Sequence, residues 1–237
     1  APRANLLQNP ELPIQDLPPD ERIRLTRRHS APVLSELSEF PQPVSPFLAH
    51  PMYLESPLLT AAGFRHAFFT RQGGVSEGPF ASLNFSSALG DAPENVAENL
   101  TRAAGALGVD PTRVYFLDQV HGAEVHALTS DDDRAAVLAT QGDALIAADP
   151  QVACGVRTAD CVPVLLACTS SGQVGAAHAG WRGAVAGIVP ATVRALRARG
   201  AQGPLIAAIG PHISLQAFEV SEDVAAQIQA AAPGVPL

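Results

Sequence analysis

Residues 162–183 read VPVLLACTSSGQVGAAHAGWRG, in which two apolar runs, Val162 to Cys168 and Gln173 to His178, flank Ser170-Ser171-Gly172. Small polar residues with a glycine between such runs predict a β-hairpin. Upstream, Gln151 to Arg157, Asp143 to Ala148, Glu124 to Thr129, Arg113 to Asp118 and His66 to Thr70 read as further strands. Downstream, Leu205 to Ile209 reads as another and Ala217 to Val220 as a short one. Helical patterns are fewer. One is capped at Asp91, carries Pro93 in its first turn and runs to about Leu107 before Gly108. A second spans about Ala184 to Arg199, bent or started at Pro190 and ended by Gly200, and a third follows Ser221 as its cap. Many short strands with three clear helices predict an α+β layered fold, not a doubly wound parallel sheet.

Composition narrows the chemistry. A chain of 237 residues, 47% of them hydrophobic, is sufficient for one large domain with a core. Its net charge of −8, with no clustered basic face, argues against a nucleic-acid partner. All fifteen basic residues are arginine, which excludes Schiff-base chemistry, pyridoxal phosphate attachment and a Walker-type phosphate lysine. Three cysteines without a CxxC pair fit a reduced, cytoplasmic compartment. No apolar run is long enough to span a bilayer, so no membrane role is expected. Residues 1–51 differ from the rest in their recurrent prolines, among them Pro10, Pro13, Pro18, Pro19, Pro41, Pro43 and Pro46. They are expected to form an N-terminal extension, with the functional domain at residues 52–237 opening at Met52. The turn-rich ending Pro233 to Leu237 suggests that the domain lacks its C-terminal segment.

Three short stretches carry the candidate chemistry. Gln119-Val120-His121-Gly122, Thr158-Ala159-Asp160-Cys161 and His178-Ala179-Gly180 each put a soft or borderline metal donor at a strand end beside a turn residue. The sequence gaps between His121, Cys161 and His178 are too long for a zinc finger. If the three strand ends converge, they form a Cys/His/His metal site with one position open, the arrangement of catalytic zinc. The same residues admit two rivals. Cys161 as nucleophile with His178 as base would make an amide hydrolase or an enzyme that edits a peptidoglycan precursor. A fourth ligand, from Cys154, Cys168 or His212, would instead close a structural site in a binding module.

Other residues are read beside these. Cys154 and Cys168 lie in apolar strands and read as small core residues. His66 and His126 are expected to satisfy ordinary hydrogen bonds, whereas His212, after Gly210-Pro211, is a candidate for the same cleft. Arg71, in Thr70-Arg71-Gln72-Gly73-Gly74, and Arg182 present guanidinium forks suited to phosphate or carboxylate; the bland alternative is a surface ion pair worth little. Asp160 and Asp143 are candidate acid/base groups or partners of the ligands.

Taken together, Thr70-Arg71-x-Gly73-Gly74-Val75-Ser76, Ser82-Leu83-Asn84, Gly90-Asp91-x-x-Glu94-Asn95-Val96-x-x-Asn99, Gln119 to Gly122, Thr158-Ala159-Asp160-Cys161-x-Pro163 and His178 to Gly183 resemble the laccase-domain family. Members of that family are also described as polyphenol oxidases, purine nucleoside phosphorylases and peptidoglycan-editing factors. The resemblance implies an α/β/β/α sandwich with mixed sheets, like that of some cysteine-dependent toxins. It implies zinc at His121, Cys161 and His178, and action on adenosine, inosine or methylthioadenosine by deamination or by phosphorolysis. Arg71 would then hold phosphate, Asn84 and Arg182 would contact substrate, and Asp160 or a metal-bound group would assist the departing base. Zinc is the expected ion, with copper in a single His₂Cys site the alternative. A multicopper cluster is not expected, because seven histidines include no His-x-His pair. Two departures stand out: family members usually continue several tens of residues further, and often carry a cysteine where this chain has His212.

Overall fold

A computed structural model of the chain describes residues 52–234; the expected extension at residues 1–51 lies outside them. The hairpin forms as read. β7 (Val162–Cys168) and β8 (Val174–Ala179) pair antiparallel, and Gly172, at φ 71°, supplies the left-handed turn conformation that a β-carbon would disfavour. Around this pair assembles a five-stranded sheet that adds β4 (Val125–Leu128), β5 (Ala144–Ala147) and β9 (Leu205–Ile209) in the order β4-β5-β8-β7-β9. β4 and β5 are parallel and the other pairings antiparallel, so the sheet is mixed. Two small sheets complete the strand set: β1 (Tyr53–Leu54) with β2 (Phe68–Phe69), antiparallel, and β3 (Val114–Tyr115) with β6 (Ala153–Cys154), parallel.

Strand alternation builds the layers. Ala144, Ile146, Val164, Leu166 and Cys168 face one side of the large sheet and pack on Ile188 and Leu196, both fully buried. Those two residues belong to α5 (Ile188–Ala198). On the opposite side Leu145 and Ala147 meet Tyr115, Leu117 and Val152, and Cys154 packs against that cluster, which joins the large sheet to the β3–β6 pair. Val114, the neighbour of Tyr115, points the other way, onto Leu100 and Ala104 of α2 (Pro93–Leu107). Helix, large sheet, small sheet and helix therefore follow in that order. Each buried leucine or isoleucine contributes about 1.5–3 kcal/mol, so these seams hold the layers together.

Differences from the sequence reading have local causes. The long helix expected over 184–199 is two, α4 (Trp181–Val185) and α5, because Gly187 at φ 83° interrupts the helical backbone between them. α2 starts as anticipated with Pro93 and ends at Gly108 in the left-handed conformation, but its cap position is Ala92, and Asp91 accepts the Ala92 N–H instead. Residues 217–220 form no strand; Ala217 and Phe218 close turns onto Ser214. Ser221 does precede α6 (Glu222–Ala231), although its hydroxyl makes no capping bond. Two short helices went unread: α1 (Pro57–Ala61) and α3 (Arg134–Leu138), the latter capped by the Asp133 carboxylate on the Ala136 N–H. No helix among the described residues is long and apolar enough to cross a membrane.

Candidate metal centre

Sheet register brings the metal donors together. Pairing of Val162 with Ala179 and of Pro163 with His178 places Cys161, one residue before β7, beside the C-terminal end of β8. Pairing of Ala144 with Ala177 sets Asp143 alongside His178. His121 arrives on the loop between β3 and β4, and its Nε2 lies 3.9 Å from Cys161 Sγ. The ring centroids of His121 and His178 are 4.8 Å apart at 76°. One donor atom from each of His121, Cys161 and His178 lies within 4.8 Å of the others, and among the described residues no fourth His, Cys, Asp or Glu joins them.

Asp143 organises this arrangement. Its carboxylate, wholly buried, accepts the backbone N–H groups of Val120, His121 and Gly122 at 3.3, 3.0 and 2.6 Å. The same carboxylate takes His178 Nδ1 at 2.8 Å, while the Asp143 backbone carbonyl accepts the His178 backbone N–H at 2.7 Å. With Nδ1 donating to the carboxylate, Nε2 of His178 is left as an electron-pair donor, the arrangement that orients a metal-ligating imidazole. The three amide bonds also hold His121 at φ 60°, a left-handed conformation costing of order 1–3 kcal/mol for a residue with a β-carbon. Gly180 completes the packing. A β-carbon there would sit 2.7 Å from the His121 ring and 3.1 Å from Cys161 Sγ, so the close approach requires glycine.

The donor set fits a borderline, four-coordinate metal. Bond lengths near 2.0 Å to nitrogen and 2.3 Å to sulfur put tetrahedral ligands about 3.3–3.6 Å apart, so the donors, which lie within 4.8 Å of one another, would draw in on an ion. Burial, reinforced by the carboxylates of Asp160 and Asp143, pushes the Cys161 thiol up. Such a thiol is a poor free nucleophile, and a neighbouring cation is what reverses the effect. Neither other cysteine is near enough to close the site. Burial holds the Cys154 thiol up at about 12, and Cys168, fully buried, contacts the Gln202 carbonyl and Ser170.

A cavity of about 1400 Å³ opens beside the donors, lined by His121, Cys161 and His178 and by Phe85, Phe116 and Arg157. Phe85 and Phe116 stack at 6.4 Å between centroids. Arg71 lines the cavity too, yet its Nε and Nη2 both donate to the Ala81 carbonyl. Asn84 also lines it, but its amide donates to Asp91 and Ser86. That bond is part of a buried clamp. Asn99 binds Val75 N–H, Ser76 Oγ and the Asn84 carbonyl, and Ser76 donates to Asp91. Three of the sequence motifs therefore meet as a scaffold behind the cavity wall. Asp160, at φ 79°, and Arg182, stacked 4.4 Å over Trp181, lie outside the lining. His212 bonds the Gly210 carbonyl and lines a separate hollow beside β9. His66 is satisfied by Ser56 N–H and the Phe64 carbonyl, whereas His126, contrary to expectation, buries Nε2 without a partner among the described residues. Arg157 was read only as a strand end and not as a site residue, although a lone charge between the apolar run 152–156 and the Thr158–Cys161 motif was visible.

The family model for multi-copper polyphenol oxidoreductase laccase matches residues 65–236. A purine nucleoside phosphorylase of Streptomyces coelicolor is 44% identical over 176 residues, covering 73% of this chain and 72% of its own length. One of Deinococcus radiodurans is 47% identical over 182 residues, covering 75% and 69%. Among solved structures, YlmD from Geobacillus stearothermophilus has a TM-score of 0.65 at 35% identity, covering 72% of this chain. The chain spans 66% of YlmD, just under two thirds of its length.

Proposed function

The chain belongs to the multi-copper polyphenol oxidoreductase laccase family, the laccase-domain family of the sequence motifs, and from that premise we propose that it is a zinc-dependent purine nucleoside phosphorylase. The observation that carries the reading is the convergence of His121, Cys161 and His178 on a cavity with no fourth protein donor among the described residues. The names of the relatives support the substrate class. The multicopper name finds no support in the donors, since the one three-membered group among the described residues cannot hold a trinuclear cluster and a blue site.

His121, Cys161 and His178 would hold the metal, with Asp143 fixing the orientation of His178. A bound zinc supplies Lewis acidity and electrostatic stabilisation of developing negative charge. In phosphorolysis a phosphate oxygen bonds C1′ of the ribose as the C1′–N9 bond breaks, and the purine leaves with the electron pair and takes up a proton. The stacked faces of Phe85 and Phe116 suit a planar base on the cavity wall. Asp160, adjacent to Cys161 and with no hydrogen bond on its carboxylate among the described residues, lies outside the cavity lining, so delivering that proton would require its loop to turn the carboxylate inward. Deamination of adenosine is the second reading, favoured by the open position beside three protein donors.

A panel of adenosine, inosine and methylthioadenosine, assayed with and without phosphate, separates the two reactions. Turnover is expected to vanish on chelation, return with zinc and be absent in His121→Ala. Full activity in metal-free protein would instead favour Cys161 as a nucleophile.

A further inference from the structure

We propose that Arg157, and not Arg71, is the anion anchor of the cavity and binds inorganic phosphate; this rests on the phosphorylase reading for its role in turnover. Arg71 has turned its fork onto the Ala81 carbonyl at an exposed position. Arg157 is half-buried on the segment between β6 and β7 and lines the same cavity as His121, Cys161 and His178.

The backbone of Arg157 is fixed at both polar groups. Its N–H donates to Gln119 Oε1 and its carbonyl accepts Gln119 Nε2, each at 2.8 Å. Gln119 lies two residues before His121, and Cys161 lies four after Arg157, so both tethers lead to metal donors. The guanidinium is held by one bond, from Nη2 to the Leu117 carbonyl at 2.8 Å, and its carbon lies 5.5 Å from the Phe116 ring centroid. A guanidinium carries five N–H donors, and among the described residues no other bond and no ion pair uses the rest. A partly desolvated cation with unspent donors is costly unless an anion accepts them, and a phosphate oxyanion accepts two in a fork. Burial lowers the Arg157 pKa, and the charge of Asp118, with which it forms no ion pair, only partly offsets this.

Inorganic phosphate is titrated calorimetrically into the zinc-loaded protein. Wild type is expected to bind, with affinity falling at least tenfold in Arg157→Gln and less than threefold in Arg71→Gln. Arg157→Lys keeps the charge and stem but loses the fork, and is expected to weaken binding while retaining fold and zinc content. In parallel, phosphate should protect Arg157 of the unmutated protein from phenylglyoxal, read by peptide mass; this needs no variant to fold. In nucleoside turnover the KM for phosphate should rise in Arg157→Gln or Arg157→Lys with the KM for nucleoside unchanged. Absence of phosphate binding, equal affinity in the variants, or no protection of Arg157 overturns the proposal. Tighter, Arg157-dependent binding of adenosine 5′-monophosphate than of inorganic phosphate overturns the free anion as ligand. Arg157-dependent phosphate binding without phosphate-dependent turnover sustains the anchor and sinks the phosphorylase reading.

Discussion

At the scale of single residues, Asp143 decides whether the centre exists. Its carboxylate joins the Val120 to Gly122 amides to His178, so it sets both the position of His121 and the tautomer of His178. Asp143→Asn keeps one acceptor oxygen and loses the charge and the second acceptor. Zinc affinity is expected to fall about 10–100-fold, the usual effect of losing a partner behind a ligand, with the far-ultraviolet circular dichroism unchanged. Competition with a chromophoric chelator measures this, and an unaltered affinity would remove Asp143 from the account. The donors were legible because histidine and cysteine at strand ends beside glycines have few bland explanations. Substrate contacts were not: nothing in the order of residues reveals that Arg71 spends its fork on Ala81, or that Asn84 spends its amide on Asp91. Those choices depend on neighbours distant in sequence or on the path of a loop.

At the scale of elements, the clamp between α2 and the 70–91 loops couples scaffold to cavity. Asn99, fully buried on α2, fixes Val75, Ser76 and Asn84, and Asp91 binds Ser76 and Asn84 in turn. The Ser76 hydroxyl, with help from Asn84 and the Ala92 N–H, holds the Asp91 carboxyl below its ordinary value despite the opposing effect of burial. A carboxyl lowered on folding contributes stability that is full above its unfolded pKa of about 3.9 and is lost as pH falls through the folded value. Asp91→Asn is therefore expected to lower stability at neutral pH and to flatten its decline below about pH 4. Urea unfolding across that range checks it, and parallel curves for the two proteins would count against the clamp. Elements whose signal is local were read correctly. β7 and β9 matched residue for residue, because continuous apolar runs bounded by turn residues leave little choice. β3 and β6 shrank to two residues each, since a strand's length depends on how far its partner stays in register. The break at Gly187 depended on a single backbone torsion that helical periodicity does not encode.

At the scale of the whole molecule, a metal held by the three donors would link segments that the chain itself keeps apart. His121 comes from the β3–β4 loop, whereas Cys161 and His178 come from the central hairpin; across this junction Sγ and Nε2 lie 3.9 Å apart and the two imidazole centroids 4.8 Å. Unfolding separates the three donors, so an ion bound by all of them stabilises the native state by mass action. At free zinc a thousandfold above its dissociation constant, the gain is about 4.1 kcal/mol. In a domain of this size each kcal/mol moves Tm by about 2–4 °C, so chelation should lower Tm by roughly 8–16 °C. His121→Ala loses a ligand without enlarging a packed core, because His121 is exposed. Its Tm should lie near that of metal-free wild type and respond little to chelator. Scanning calorimetry of both proteins with and without chelator makes the comparison. An equal drop in His121→Ala would mean that the stabilising ion sits elsewhere, and the case for a metal centre between the loop and the hairpin would fail.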